Sequence, residues 1–177
     1  MISLNWVSDY IDISNEDKKE LASKITKAGV NVEKVESKRI DNLVIGEVKE
    51  CINHPDSDHL HICQVDIGSK VTQIVCGAPN VRKGLKVIVA LPGCILPGDF
   101  EIKPGKIRGE ESNGMICALY ELGLEEKTEE TYNKGIHEIE DSTVNAGDDA
   151  NEYLGLNDTL LELDIHKHRN NDCYYHI

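Results

Sequence analysis

Residues 42–91 read NLVIGEVKECINHPDSDHLHICQVDIGSKVTQIVCGAPNVRKGLKVIVAL. Four segments of this stretch are rich in apolar and β-branched residues, and turn signals built from glycine, proline, asparagine and aspartate separate them. These segments are Asn42–Ile52, His61–Ile67, Val71–Cys76 and Leu85–Leu91. Short strands at this spacing predict a small barrel or sandwich. A closed five-stranded barrel of the OB type fits the length and hides its sheet edges.

The segments on either side of this stretch predict a second, smaller unit. Apolar residues recur at helical spacing in 21–28, with Ser14 as the predicted N-cap and Gly29 just after the last turn. The valines of 30–35 then predict a strand with a bulge. A strand is also predicted at Leu160–Leu163. We expect it to pair with the N-terminal unit, because neither segment can bury its apolar face alone.

The composition is typical of a soluble, globular protein, since 40% of the 177 residues are hydrophobic and 29% are charged. No run approaches the roughly 18 apolar residues of a membrane span, and the N-terminus lacks the regions of a secretion signal. Six cysteines without C-x-x-C spacing predict reduced, mostly buried thiols. We therefore expect a cytoplasmic protein with no membrane partner. Because residues 172–177 form an apolar stretch without a helix stop, we also expect a fragment of a longer protein.

The charge is unevenly distributed along the chain. A net charge of −13 argues against a generic nucleic-acid binder. Residues 69–109, however, carry seven Lys/Arg against two acids, which is 7 − 2 = +5, whereas residues 110–165 carry two against sixteen, which is 2 − 16 = −14. The basic middle favours phosphate binding, and two solvated faces of an ordinary soluble protein remain the alternative.

Signatures of catalysis are missing from the sequence. It contains no G-x-S-x-G, P-loop, G-x-G-x-x-G or H-E-x-x-H motif, and no residue is predicted to be catalytic. Two clusters offer ligand types that zinc accepts. They are His54, His59, His61 and Cys63, and His166, His168, Cys173 and His176. For both clusters we favour surface histidines and a buried cysteine, so no metal site is predicted.

Basic residues supply the candidate nucleic-acid contacts. Lysine and arginine side chains near the rim of an OB barrel can donate hydrogen bonds to phosphate oxygens. Ser112 is predicted to cap a helix over Asn113–Leu122, and a helix N-terminus attracts anions. The candidate RNA-binding residues are Arg82, Lys83, Lys86, Lys103, Lys106, Arg108 and Ser112. Because Phe100 is the single phenylalanine, we expect little base stacking and weak, electrostatic binding.

Motifs spread over the whole chain carry a resemblance to a known family. The barrel motifs resemble the tRNA-binding barrel of several tRNA-associated proteins. They include Val44–Val48, His54–Leu60, Gln73–Asn80, Ile107–Met115 and Glu121–Leu124. The flanking motifs resemble the opening of the bacterial phenylalanyl-tRNA synthetase β subunit. They are Ile2–Val7, Ala28–Glu33, Tyr153–Asp158 and Leu161–Ile165.

The resemblance completes the predicted architecture. In this family the barrel is inserted into a small first domain whose two halves flank it. We therefore predict an α+β chain in which a five-stranded OB-type β-barrel is inserted into a small discontinuous α/β domain. The predicted boundaries are 1–40 for the first half of the α/β domain, 41–150 for the barrel, and 151–177 for the second half with a truncated linker.

The resemblance also implies a function. It implies the tRNA-binding N-terminal part of a β subunit that supports aminoacylation by an α₂β₂ phenylalanine–tRNA ligase. The implied partners are tRNA, the α subunit and a second αβ pair. Adenylate chemistry, with its ATP and Mg²⁺, is expected outside this chain, which itself is expected to be non-catalytic and to hold no cofactor. A freestanding tRNA-binding accessory protein without enzymatic activity is the alternative.

Overall fold

The computed structural model describes residues 1–164. Two helices precede a series of ten strands, two short helices and one strand follow it, and most of the strands are short. In chain order they are β1 (Ile2–Ser3), α1 (Leu4–Ser8), α2 (Lys18–Lys27), β2 (Asn31–Ser37), β3 (Leu43–Asn53), β4 (His61–Asp66), β5 (Val71–Cys76), β6 (Lys86–Ala90), β7 (Ile95–Leu96), β8 (Phe100–Glu101), β9 (Gly105–Ile107), β10 (Glu110–Ser112), β11 (Met115–Ile116), α3 (Glu129–Lys134), α4 (Ala150–Tyr153) and β12 (Thr159–Asp164).

The chain divides into two compact units. Residues Ile40–Leu154 form the barrel unit, and Met1–Arg39 with the segment that starts at Gly155 form the terminal unit. The domain boundaries predicted above stay a prediction, since compactness alone does not define a folding domain.

A five-stranded antiparallel sheet forms the barrel, in the order β11-β6-β3-β4-β5. The long strand β3 joins the two sides of this sheet, because its first half pairs with β6 and its second half pairs with β4. Beyond β5 the sheet is nearly closed, where the Asn113 N–H donates to the Gln73 carbonyl oxygen at 2.9 Å. The predicted five-stranded OB-type barrel in an α+β chain is confirmed.

The strand β6 and the first half of β3 are covered on both faces, which explains why these segments are apolar almost without alternation. One face contributes Val48 and Val89 to a cluster with Val65 of β4. The opposite face contributes Ile45 and Ile88 to a second cluster, which the segments 94–102 and 117–122 complete. The second layer therefore fixes the chain that follows β6, where most of the candidate site lies.

In the terminal unit, a three-stranded antiparallel sheet has the order β1-β12-β2. The predicted strand near residue 160 is thus confirmed as the central strand of this sheet. A register shift between Glu162 and Leu163 in its pairing with β2 accounts for the irregular spacing of the valines. The helix α2 packs on the sheet through Ala22, which clusters with Leu161.

Two predictions about helices are wrong, the first about an N-cap and the second about a whole helix. The N-cap of α2 is Asp17, whose carboxylate accepts the N–H groups of Lys19 and Glu20, rather than Ser14. The predicted helix over Asn113–Leu122 does not form. The strand β11 and a series of turns occupy this segment instead, because its apolar side chains pack as an extended layer against β6.

Candidate nucleic-acid interface

Two β-hairpins follow β6, with Lys103 between them and with Lys106 and Arg108 on the second. The first joins β7 to β8 and pairs Leu96 with Phe100. The second joins β9 to β10 through the two residues Arg108 and Gly109, whose φ angles are 48° and 89°. Positive φ at both central residues defines a type I′ turn, which matches the twist of the two strands. The second hairpin therefore presents Arg108 at its tip.

Between these hairpins and β5 the surface forms an open groove of about 210 Å³. Its apolar lining includes Val75, Phe100, Ile107 and Met115. Lysine side chains also line it. They are Lys103 and Lys106. The groove therefore combines an apolar floor with a cationic edge, the combination that single-stranded nucleic acid requires.

The three cations of the hairpin region differ in how they are held. Lys103 lies 3.1 Å from the Glu101 carboxylate in an exposed ion pair, which contributes little and exchanges readily for another anion. Lys106 is exposed on β9, and among residues 1–164 it has no ion-pair partner. Arg108 donates from Nη1 to the Asp56 carbonyl oxygen at 3.0 Å, which leaves its other guanidinium N–H groups available. These three side chains can reach phosphate oxygens without breaking a buried contact.

A buried histidine ties the second hairpin to the loop between β3 and β4. His54 is 3% exposed, and its Nδ1 accepts the Asp56 N–H at 3.0 Å. Because Nδ1 is an acceptor, the proton of the neutral ring lies on Nε2, which donates to the Ile107 carbonyl oxygen at 3.2 Å. His54 therefore fixes the position of the hairpin. The sequence shows His54 as a candidate zinc ligand and as the first residue of the barrel motif His54–Leu60, and neither indicates this structural role.

The other basic candidates serve different contacts. Arg82 forms a two-pronged ion pair with Glu138, at 2.8 and 2.9 Å, and this contact lowers the pKa of the glutamate. Lys86 is half-buried and donates to the Val144 carbonyl oxygen at 2.6 Å. Lys83 is exposed in the turn before β6. Arg82 and Lys86 thus fasten the acidic part of the chain to the barrel.

Ser112 closes the barrel. It is 5% exposed, its hydroxyl accepts the Val75 N–H at 3.1 Å, and the hydroxyl donates to the Gly114 carbonyl oxygen at 3.2 Å. Its hydrogen-bonding capacity is therefore used inside the barrel unit. The structure brings Lys103, Lys106 and Ser112 together along one groove, and Arg108 lies at the tip of the adjacent turn.

The structure shows no metal-binding arrangement in the part of the chain that it describes. No group of three or more His, Cys, Asp or Glu side chains there could hold an ion. Of the five cysteines in this part, Cys51 is half-buried and four are buried, all as free thiols. Burial raises the pKa of Cys76 to about 11, so this thiol is unreactive. The cluster of His166, His168, Cys173 and His176 lies outside the described residues.

Comparison with known families identifies the barrel. Residues 43–148 match the family described as "Putative tRNA binding domain", and this match covers the barrel strands and both hairpins. The chain belongs to this family of tRNA-binding domains.

Over nearly its whole length, the chain is similar to curated phenylalanine–tRNA ligase β subunits. It is 49% identical to that of Geobacillus kaustophilus over 98% of this chain and 22% of the relative. It is 48% identical to those of Oceanobacillus iheyensis and Bacillus subtilis over 93% and 95% of this chain and 21% of each relative. The resemblance stated from the sequence is confirmed. The chain spans about a fifth of the length of the curated relatives it matches.

A MetRS related protein from Pyrococcus horikoshii is 24% identical, with a TM-score of 0.43 over 60% of this chain and 85% of that chain. Among residues 1–164, no helix has the length and apolar character needed to cross a membrane.

Proposed function

We propose that this chain is a tRNA-binding part of a phenylalanine–tRNA ligase β subunit, and that it contacts the tRNA backbone through Lys103, Lys106 and Arg108. The observation that carries the proposal is the match of residues 43–148 to the tRNA-binding family, because the matched region contains both hairpins and the groove. Similarity to β subunits along 93–98% of the chain supports the assignment to that enzyme.

The role of the three cations is to bind phosphate. Lysine and arginine make charge-assisted hydrogen bonds to phosphate oxygens, and these contacts position a nucleic acid without reading its sequence. Lys83 is exposed on the same unit and stays a candidate for an additional contact. Arg82, Lys86 and Ser112 are not part of this proposed surface, because their polar atoms already bond within the barrel unit.

For the whole enzyme, we propose aminoacylation of tRNA with phenylalanine by an α₂β₂ assembly in the cytoplasm. ATP and Mg²⁺ serve that reaction in the proposal. We assign no catalytic step to this chain, because the family that its barrel matches is one of tRNA-binding domains.

The test is anisotropy of a labelled tRNA titrated with the 177-residue chain between about 25 and 200 mM salt. Three phosphate contacts predict a slope of log K against log salt of roughly −2 to −3. The double variant Lys106→Glu, Arg108→Glu should bind more weakly and flatten the slope to about −1. The matched control is Lys18→Glu, Lys19→Glu, which makes the same charge change on the exposed first turn of α2.

The control variant should bind as the wild type does. Equal weakening by both double variants would show that net charge, and not the hairpin surface, determines binding. No binding at the lowest salt would contradict the proposal for this chain. A freestanding accessory protein would also bind tRNA without aminoacylating it, so binding alone does not exclude that alternative. Co-purification with an α subunit from the source cells distinguishes that alternative.

A further inference from the structure

An aromatic side chain lies exposed in the groove between the hairpins. Phe100 is 58% exposed and Ile107 is 41% exposed, and both line the groove that Lys103 and Lys106 border. Single exposed apolar residues are common on protein surfaces. Two of them side by side with unburied lysines form a surface that is suited to a ligand with one flat apolar part and one anionic part.

We infer that this groove binds one unpaired nucleotide of the RNA, with its base against Phe100 and Ile107 and its flanking phosphates on Lys103 and Lys106. The inference rests on the proposed function, and it specifies the substrate class as a single-stranded segment. A base in a duplex has both faces covered by its neighbours and cannot lie on the ring. The phosphate contacts alone would not distinguish single strands from duplex.

The ring of Phe100 is presented on a rigid support. Its strand partner Leu96 is 3% exposed, and Ile102, two residues further on, is 5% exposed. The Ile102 N–H donates to the Cys94 carbonyl oxygen, and the Ile102 carbonyl oxygen accepts the Gly93 N–H, both at 2.8 Å. Because these contacts already anchor the hairpin, little conformational freedom is lost when a base stacks on the ring.

In the part of the chain that the structure describes, the Phe100 ring is not paired with another ring or with a cation. Among residues 1–164, the aromatic pairs are Trp6 with Tyr10 and His137 with Tyr153, and the ring–cation contacts are those of Lys127. Phe100 takes part in none of them. Bases stack on such side chains without regard to sequence, because every base has a π-face.

The size and charge of the groove agree with one nucleotide. Its volume of about 210 Å³ lies below the roughly 300–1,000 Å³ of pockets for drug-sized ligands, which suits a single base. The groove is open to solvent, so its lining residues are accessible to RNA. Glu101 also lines it and holds Lys103 at 3.1 Å. Phosphate must replace this carboxylate, which an exposed ion pair permits at little cost.

The experiment compares single-stranded and double-stranded RNA of equal length at about 50 mM salt, with the full chain. Single-stranded octamers carry a terminal fluorophore for anisotropy, and a second set carries one central 2-aminopurine, whose fluorescence is quenched by stacking. The variants are Phe100→Leu, which keeps an apolar side chain without a ring, and Phe100→Tyr, which restores the ring. Tyr132→Leu is the matched control, since Tyr132 is 59% exposed on α3, outside the groove.

We expect Phe100→Leu to weaken binding of the single strand about five- to tenfold and to abolish the quenching. Duplex binding should not change, and Phe100→Tyr and Tyr132→Leu should behave as the wild type. Unchanged single-strand affinity of Phe100→Leu, with tRNA binding still weakened by Lys106→Glu, Arg108→Glu, would overturn this inference and leave the proposed function standing. If no RNA binds at the lowest salt, the proposed function fails and this inference fails with it.

Discussion

Replacement of Arg108 by asparagine separates the stability of the hairpin from its contact with RNA. Arg108 has φ 48° in the type I′ turn, a conformation that costs a long side chain about 1 kcal/mol and that asparagine adopts readily. The variant also loses the hydrogen bond from Nη1 to the Asp56 carbonyl oxygen, which contributes about 0.5–1 kcal/mol. The two effects offset. We therefore expect the free energy of unfolding to change by less than about 1 kcal/mol.

RNA binding should respond differently, because the variant removes one phosphate contact. Each contact contributes about −0.9 to the slope of log K against log salt for duplex and about −0.7 for single strands. The ratio of the variant Kd to the wild-type Kd should therefore be about four- to sixfold larger at about 25 mM salt than at about 200 mM. Anisotropy of labelled tRNA measures the binding, and urea denaturation of the same samples measures the stability.

The control for this variant is Arg108→Lys, which keeps both the cation and the unfavourable φ. It should retain the wild-type slope of log K against log salt, and it should not be stabilised by relief of the unfavourable φ angle, as Arg108→Asn is. If Arg108→Asn retained the wild-type slope, Arg108 would not contact phosphate, and the interface would be reduced to Lys103 and Lys106. A loss of more than about 2 kcal/mol in the free energy of unfolding would refute the argument that turn and hydrogen bond offset each other.

Three further predictions concern the barrel unit. Gly46→Ala should destabilise it by about 1–3 kcal/mol in urea denaturation, since a Cβ would lie 2.7 Å from two valine methyl groups, whereas Gly105→Ala meets nothing within 4 Å and should be neutral. His54→Ala should cost about 1–3 kcal/mol, because two backbone groups lose their partner, and an unchanged midpoint would contradict this. Arg82 depresses the pKa of Glu138, so its stabilisation is present above the ordinary glutamate value of 4.5 and is lost as the pH falls below it. Denaturation of Glu138→Gln should show a weaker acid dependence.

The barrel strands could be predicted from the sequence because local signals and tertiary structure agree there. Apolar runs bounded by turn residues locate β3, β4, β5 and β6 to within one residue. The segment 113–122 shows the opposite case. Its apolar residues also fit helical spacing, and only the presence of the outer face of β6 makes an extended chain with turns the better packing. A local pattern cannot contain that information.

The candidate site could be predicted only in part, for a related reason. Counting charges finds the basic stretch, yet it does not show that Arg82 is paired with Glu138, 56 residues further along the chain. The composition also counts Phe100 as one phenylalanine among few aromatics. Its value to the site comes from lying exposed beside Lys103 and Lys106, which is a property of the hairpins and not of the composition.

The overall charge explains why the proposed interface must act at short range. A chain of net charge −13 repels a nucleic acid at distances beyond the contact surface, and at about 0.1 M salt that repulsion is screened over about 10 Å. Within this distance, the charges nearest the contact determine whether a phosphate group is attracted or repelled. Arg82 and Lys86 hold residues 138–144 on the barrel unit through Glu138 and Val144. Glu110 and Glu111, however, lie on β10, where Glu111 is opposite Lys106. The proposed phosphate contacts therefore form beside local acids. With three phosphate contacts against a repulsive background, the affinity depends strongly on salt. The proposed apolar contact with a base does not involve charge, so we expect that salt does not weaken it.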